Sequence, residues 1–187
     1  MKYILKFFLI SLIIVLTSCG ALGTKTLYKS EGNLKKPTII GFSQVVIEDM
    51  TGKIVQGNVK IYDSVMTSEL TSQNIHSKKI VIDDFDGFDS INSGLIKSIC
   101  SRNQLDGIIL TQLKFFDVKY TSMFIPIGQS KDTEVEMHYY DRNGKLLLHT
   151  KHNTHKGNSY WNSPAVSKTI TDGTKGALGR ILKEMGK

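Results

Sequence analysis

The hydrophobic pattern changes period several times along the chain, and those changes outline an α/β fold. Thr38–Ile47, TIIGFSQVVI, is rich in β-branched and aromatic residues and predicts a first strand. After a loop at Glu48–Gly57, Asn58 stands where it can cap a helix in which Tyr62, Val65, Met66 and Leu70 recur at helical spacing until Asn74. Lys79–Phe85 predicts a short second strand. Ile91, Leu95, Ile96, Ile99 and Cys100 then cover one face of a second helix ending near Asn103, with Asp89 or Ser90 as its cap. Ile108-Ile109-Leu110 is apolar at consecutive positions, which requires burial on both faces and predicts a central strand continuing through Thr111–Tyr120. Glu134–Tyr140 alternates, and Asp141-Arg142-Asn143-Gly144 turns it back into Lys145–His152 as a hairpin. Ser163-Pro164 opens a last helix to about Met185, in which Gly173, Gly176 and Gly179 predict close backbone packing against the sheet. The expected domain, residues 37–187, is a single α/β sandwich. It has a mixed sheet of about five strands and three helices in the order β-α-β-α-β-β-β-α.

The first twenty residues, MKYILKFFLISLIIVLTSCG, decide where that domain works. Lys2 and Lys6 give a positive leader, Phe7–Leu16 is apolar except for Ser11, and the run is about half the length needed to span a bilayer as a helix. This pattern is a secretory signal over residues 1–18. Leu16-Thr17-Ser18-Cys19 resembles the lipobox of bacterial lipoproteins, in which the cysteine is acylated and becomes the first residue of the mature chain. The alternative is an ordinary signal peptide with Cys19 incidental. The resemblance implies a bilayer partner held through Cys19, and acyl chains contribute about 0.8 kcal/mol per buried methylene. Gly20 stands where an aspartate would imply inner-membrane retention, so the implied location is the outer membrane, facing the periplasm. Residues 19–36 mix small, polar and basic side chains without a period and read as a lipidated flexible tether, up to about 50 Å long if extended.

Removing the leader takes two lysines from 24 cations and none of the 17 acids, leaving 22 against 17, a formal charge of +5. Outside the cytoplasm that modest excess suits lipid head groups and wall polymers, and no nucleic-acid partner is expected. Cys100 has no cysteine to pair with once Cys19 is acylated. Its place on an apolar helix face predicts a buried thiol.

Three stretches are candidates for chemistry or binding. Asp83, Asp84, Asp86 and Asp89 crowd one turn, but an EF-hand register with Gly87 sixth puts Ile82 first and Ser93 twelfth, and the match fails. Helix capping and turn formation are the favoured account of them, with a divalent-cation or substrate role as the alternative. His149, His152 and His155 follow at intervals of three, so on a strand His149 and His155 share a face and His152 takes the other. A two-residue turn at Asn143-Gly144 sets His138 opposite His149. With no cysteine or adjacent acid apparent, exposed polar strand positions are the expected reading. No metal or cofactor is expected. Thr121–Gly128, TSMFIPIG, places Met123, Phe124, Ile125 and Ile127 where a connection is normally polar, and Pro126 interrupts regular pairing. These four either contact a partner or fold back into the core.

A second resemblance is broader. Asp106-Gly107-Ile108-Ile109-Leu110, the long hairpin, Tyr140-Asp141-Arg142-Asn143-Gly144-Lys145-Leu146-Leu147 and the final amphipathic helix resemble the group of the curli secretion lipoprotein, the penicillin-binding-protein activator and the amino-terminal domain of TolB. That resemblance implies a non-enzymatic adaptor or assembly factor binding another envelope component. The alternative is a metal- or small-ligand-binding protein, or a hydrolase, using the Asp83–Asp89 turn or the His138/His149 pair.

Overall fold

The computed structural model describes residues 23–32, 34–48, 59–122, 125–159 and 166–186. In chain order these form β1 (Gly23–Lys29), β2 (Ile39–Glu48), α1 (Val59–Ser72), β3 (His76–Ile80), a 3-10 turn (Phe88–Ser90), α2 (Ser93–Asn103), β4 (Gly107–Ser122), β5 (Ile125–Asp141), β6 (Leu146–Ser159) and α3 (Val166–Met185). The six strands make one mixed sheet in the order β1-β6-β5-β4-β2-β3. The β3, β2 and β4 strands run parallel, whereas β4, β5, β6 and β1 pair antiparallel.

Parallel neighbours need crossovers, and the two crossover helices cover opposite faces. Helices α1 and α3 lie over the face formed by Phe42, Val45, Ile109, Leu113, Val135, Met137 and Leu148. Helix α2 lies over Val46, Ile80, Ile108 and Leu110 on the other face. Ile108, Ile109 and Leu110 are all fully buried, one above the sheet and two below, as the consecutive apolar run requires.

Polar groups tie the larger face together. Tyr62 donates its hydroxyl proton to Thr111 Oγ1 at 2.8 Å, and burial raises its pKa far above the ordinary phenol value. Beneath α3, Thr133 Oγ1 donates to Thr169 Oγ1 at 2.8 Å and Thr150 Oγ1 donates to the Ala177 carbonyl at 3.1 Å.

Several expectations need correction. The strand count is six rather than about five, because Gly23–Lys29, expected within a flexible tether, is an edge strand paired with β6. It carries no apolar alternation and is fastened to α3 by polar groups instead. Arg180 Nε donates to Thr26 Oγ1 at 2.8 Å, and Lys29 forms a 2.6 Å ion pair with the buried Glu184. The second strand is His76–Ile80 rather than Lys79–Phe85, and the cap of α2 is Asn92, whose side chain accepts from the Leu95 N–H. Thr121–Gly128, expected as a connection, is largely strand. Ser122 pairs with Ile125 and Thr121 with Pro126, and Ile127 falls in a register shift beside the proline. Asn58, Ser163 and Pro164 lie outside the described residues.

Candidate functional site

On the larger face the sheet is covered by two helices, but α2 covers only part of the opposite one. Its β5 and β6 positions there are polar rather than apolar, and one cluster stands out. Successive strand residues alternate faces, so Glu136 and His138 project from the same side of β5. The pairing places His149 of β6 directly across from His138, the partner expected from a two-residue turn, but the turn is longer: Tyr140 pairs with Leu146 and Asp141 closes on Lys145, and a register shift between Tyr139 and Tyr140 restores the His138–His149 pair. His149 Nε2 lies 2.5 Å from Glu136 Oε1, and the two imidazole rings meet edge to face with centroids 4.1 Å apart. One donor atom from each of Glu136, His138 and His149 falls within 4.8 Å of the other two. Glu136 is the acid that was not apparent from the histidine spacing. Its signal was the Glu-x-His alternation on β5, which puts both side chains on one face.

The Asp83–Asp89 turn approaches this cluster through its aromatics rather than its acids. Asp83, Asp84, Asp86 and Asp89 are exposed, while Phe85 is buried and Phe88 stacks flat on the His138 ring with centroids 3.6 Å apart. Sequence reasoning did not link Phe88 to His138, and no periodicity connects them.

Burial and the neighbouring His149 lower the His138 pKa to about 3, so its imidazole is neutral at physiological pH. Its Nδ1 lies 3.2 Å from the Tyr140 hydroxyl, whereas its Nε2 is buried and has no hydrogen-bond partner among the described residues. Two ion pairs flank the cluster: Lys151 with Glu134 at 2.7 Å and Lys114 with Glu48 at 3.5 Å. His152 points to the other face, within 2.6 Å of Thr24 Oγ1.

Among the described residues, open clefts also lie elsewhere, and two of them border residues named above. One of about 510 Å³ is lined by Lys35, Lys36, Asp106, Tyr139, Asp141 and Lys145. Its Asp106 is already engaged, accepting from the backbone N–H groups of Ile39 and Thr38 and from Arg142; these bonds hold the carboxyl below the usual carboxylate range. The other, about 400 Å³, borders Cys100, which is 1% exposed and whose thiol burial pushes up to about 11. Such a thiol carries little thiolate and is a poor nucleophile.

Of the other residues singled out from the sequence, Cys19, Met123 and Phe124 lie outside the described residues. Ile125 and Ile127 fall at the start of β5.

No family model matches the sequence, and no curated protein does either. Among solved structures, the PelC dodecamer from Paraburkholderia phytofirmans aligns with a TM-score of 0.51 at 10% identity, over 83% of this chain and 95% of that one. The lipoprotein GNA1162 from Neisseria meningitidis aligns with a TM-score of 0.48 at 12% identity, over 79% and 99%. At such identity the likeness to PelC is one of fold.

Proposed function

We propose that the chain is a lipid-anchored bacterial envelope protein that acts as a non-enzymatic adaptor or assembly factor at the outer membrane, facing the periplasm. The observation that carries this reading is how little chain separates the lipobox cysteine from folded structure. Cys19 precedes Gly23, the first residue of β1, by four positions, which span at most about 14 Å when extended. Acylation at Cys19 would hold the sheet close to the head groups instead of on a long leash.

The register adds a direction. Gly23 pairs with Asn153, which pairs with Glu134, and β5 begins nine residues earlier at Ile125. At about 3.3 Å per residue, the β4–β5 hairpin extends roughly 30 Å beyond the start of β1, on the side from which the anchored chain arrives. Ser122 and Ile125 pair at that hairpin end, which supports the apolar stretch Met123–Ile127 of the sequence as the contact for an envelope partner.

Two measurements test the reading. The native protein should incorporate labelled palmitate and stay with membranes on fractionation, and Cys19→Ala should abolish the labelling and release or mislocalise the protein. Indifference of both readouts to Cys19→Ala would remove the anchor. A photo-crosslinking residue at Phe124 should then capture a discrete envelope component in intact cells, and the double variant Phe124→Ser, Ile125→Ser should lose it with little change in thermal stability. A large loss of stability would assign the stretch to the core.

A further inference from the structure

We propose that Glu136, His138 and His149 form a binding site for a divalent transition metal, zinc by preference, that clamps β5 to β6 on the partly covered face of the sheet. Two imidazoles and a carboxylate make the donor set of many zinc sites, with a fourth position left for water.

Three observations bear on it independently of one another. The donors come from paired strands, so the backbone ladder fixes their spacing without help from a loop. Zinc takes nitrogen at about 2.0–2.1 Å, which sets tetrahedral donors roughly 3.3 Å apart. The donors here lie within 4.8 Å of one another, and Glu136 and His149 are at 2.5 Å. Closing the set requires the His138 nitrogen to move in and the carboxylate and His149 to move slightly apart. The second observation is the buried, unpartnered Nε2 of His138. A buried nitrogen without a partner loses its hydrogen bond to water with nothing in return, and a metal ion bound to its lone pair would satisfy it.

The third concerns the surroundings. A metal on Nε2 leaves the proton on Nδ1, where the Tyr140 hydroxyl oxygen, 3.2 Å away, can accept it. An outer partner of this kind fixes the tautomer of a ligating histidine. Phe88 stacked on the other side of the His138 ring fixes its plane. Binding would also order the turn that carries Phe88, linking the acidic loop to the occupancy of the site.

The test uses the full chain in detergent, carrying a tag without histidine, stripped with a chelator and titrated with zinc chloride. One equivalent should bind with micromolar or better affinity and raise the melting temperature. Cobalt in place of zinc should give the intense visible bands of a tetrahedral site without thiolate charge transfer. His138→Ala and His149→Ala should each weaken binding by roughly 100-fold, the upper end of what the loss of an outer partner costs. His152→Ala, on the opposite face, should leave it unchanged. Should the alanine variants not fold, the imidazole nitrogen resonances of the native protein provide the decision. Zinc must shift those of His138 and His149 and spare those of His76 and His152. The proposal is overturned by an absence of saturable binding to folded protein, by binding that survives loss of both histidines, or by shifts at other rings.

Discussion

Gly176 and Gly179 stand three positions apart on α3, and the same substitution should act on them in opposite directions. A Cβ at Gly176 would come within 2.2 Å of His152 Nδ1, a ring held in place by its contact with Thr24, whereas a Cβ at Gly179 would meet nothing within 4 Å. Alanine gains about 1 kcal/mol over glycine in a helix interior, and overpacking costs about 1–3 kcal/mol. Gly179→Ala should therefore stabilise by about 0.5–1 kcal/mol, and Gly176→Ala should destabilise by up to about 2 kcal/mol while freeing His152. Urea denaturation of the two variants measures both, and shifts of the same sign would refute the contrast. The sequence marked all three glycines of α3 as close-packing positions. That holds for Gly176 and for Gly173, whose Cβ would lie 2.7 Å from Val135 Cγ2, but Gly179 faces solvent. A spacing of three cannot separate them, because successive steps of three drift by about 60° around a helix with 3.6 residues per turn.

At the scale of elements, legibility followed how each element is held. Strand β4 was readable because its burial is apolar on both faces, and the β5–β6 hairpin because a short polar turn separates two alternating runs. Strand β1 was not readable, since Thr24, Thr26 and Lys29 reach α3 through hydrogen bonds and an ion pair, which leave no hydrophobic period. The candidate site divides along the same line. The shared face of Glu136 and His138 follows from strand period; the His138–His149 pair was expected from a two-residue turn but is reached through a longer turn and a register shift at Tyr139/Tyr140, and the stacking of Phe88 on His138 depends on tertiary packing. If polar clasps hold β1 in place, removing the central one should loosen it. Glu184 is 3% exposed and pairs with Lys29 at 2.6 Å and Arg180 at 3.4 Å. Glu184→Ala should cost about 1–3 kcal/mol, less than a fully buried pair because both cations keep access to water. Hydrogen exchange should rise first at Gly23–Lys29; protection of β1 equal to wild type would show that backbone pairing with β6 alone suffices.

For the molecule as a whole, buried titratable groups of both kinds predict stability that peaks between mildly acidic and mildly alkaline pH. His138 is lowered to about 3 and His152 is lowered as well, each chiefly by burial. Between about pH 6.5 and 3 the unfolded chain takes up protons that the native state refuses, so this contribution is complete above about 6.5 and declines as pH falls. The ceiling is about 1.4 kcal/mol per pH unit for each histidine, and the observed slope should be smaller because solvent reaches part of both rings. Asp106, lowered by its backbone hydrogen bonds, adds to the same limb at lower pH. On the alkaline side the signs reverse. Cys100 is raised to about 11, and Tyr62 and Tyr139 are raised further, all chiefly by burial. Their contributions are complete below the unfolded values of about 9 and 10 and are lost as pH climbs past them. Denaturation midpoints across the pH range should trace this dome, and His138→Asn should flatten its acid limb between about pH 6 and 4. An acid limb equally steep in the variant would place the controlling protons elsewhere. Excess zinc should shift the same limb in the native protein but not in the variant, since a metal that binds only the folded state adds its own linkage. A zinc effect of equal size in both proteins would separate the acid sensitivity of this face from metal binding.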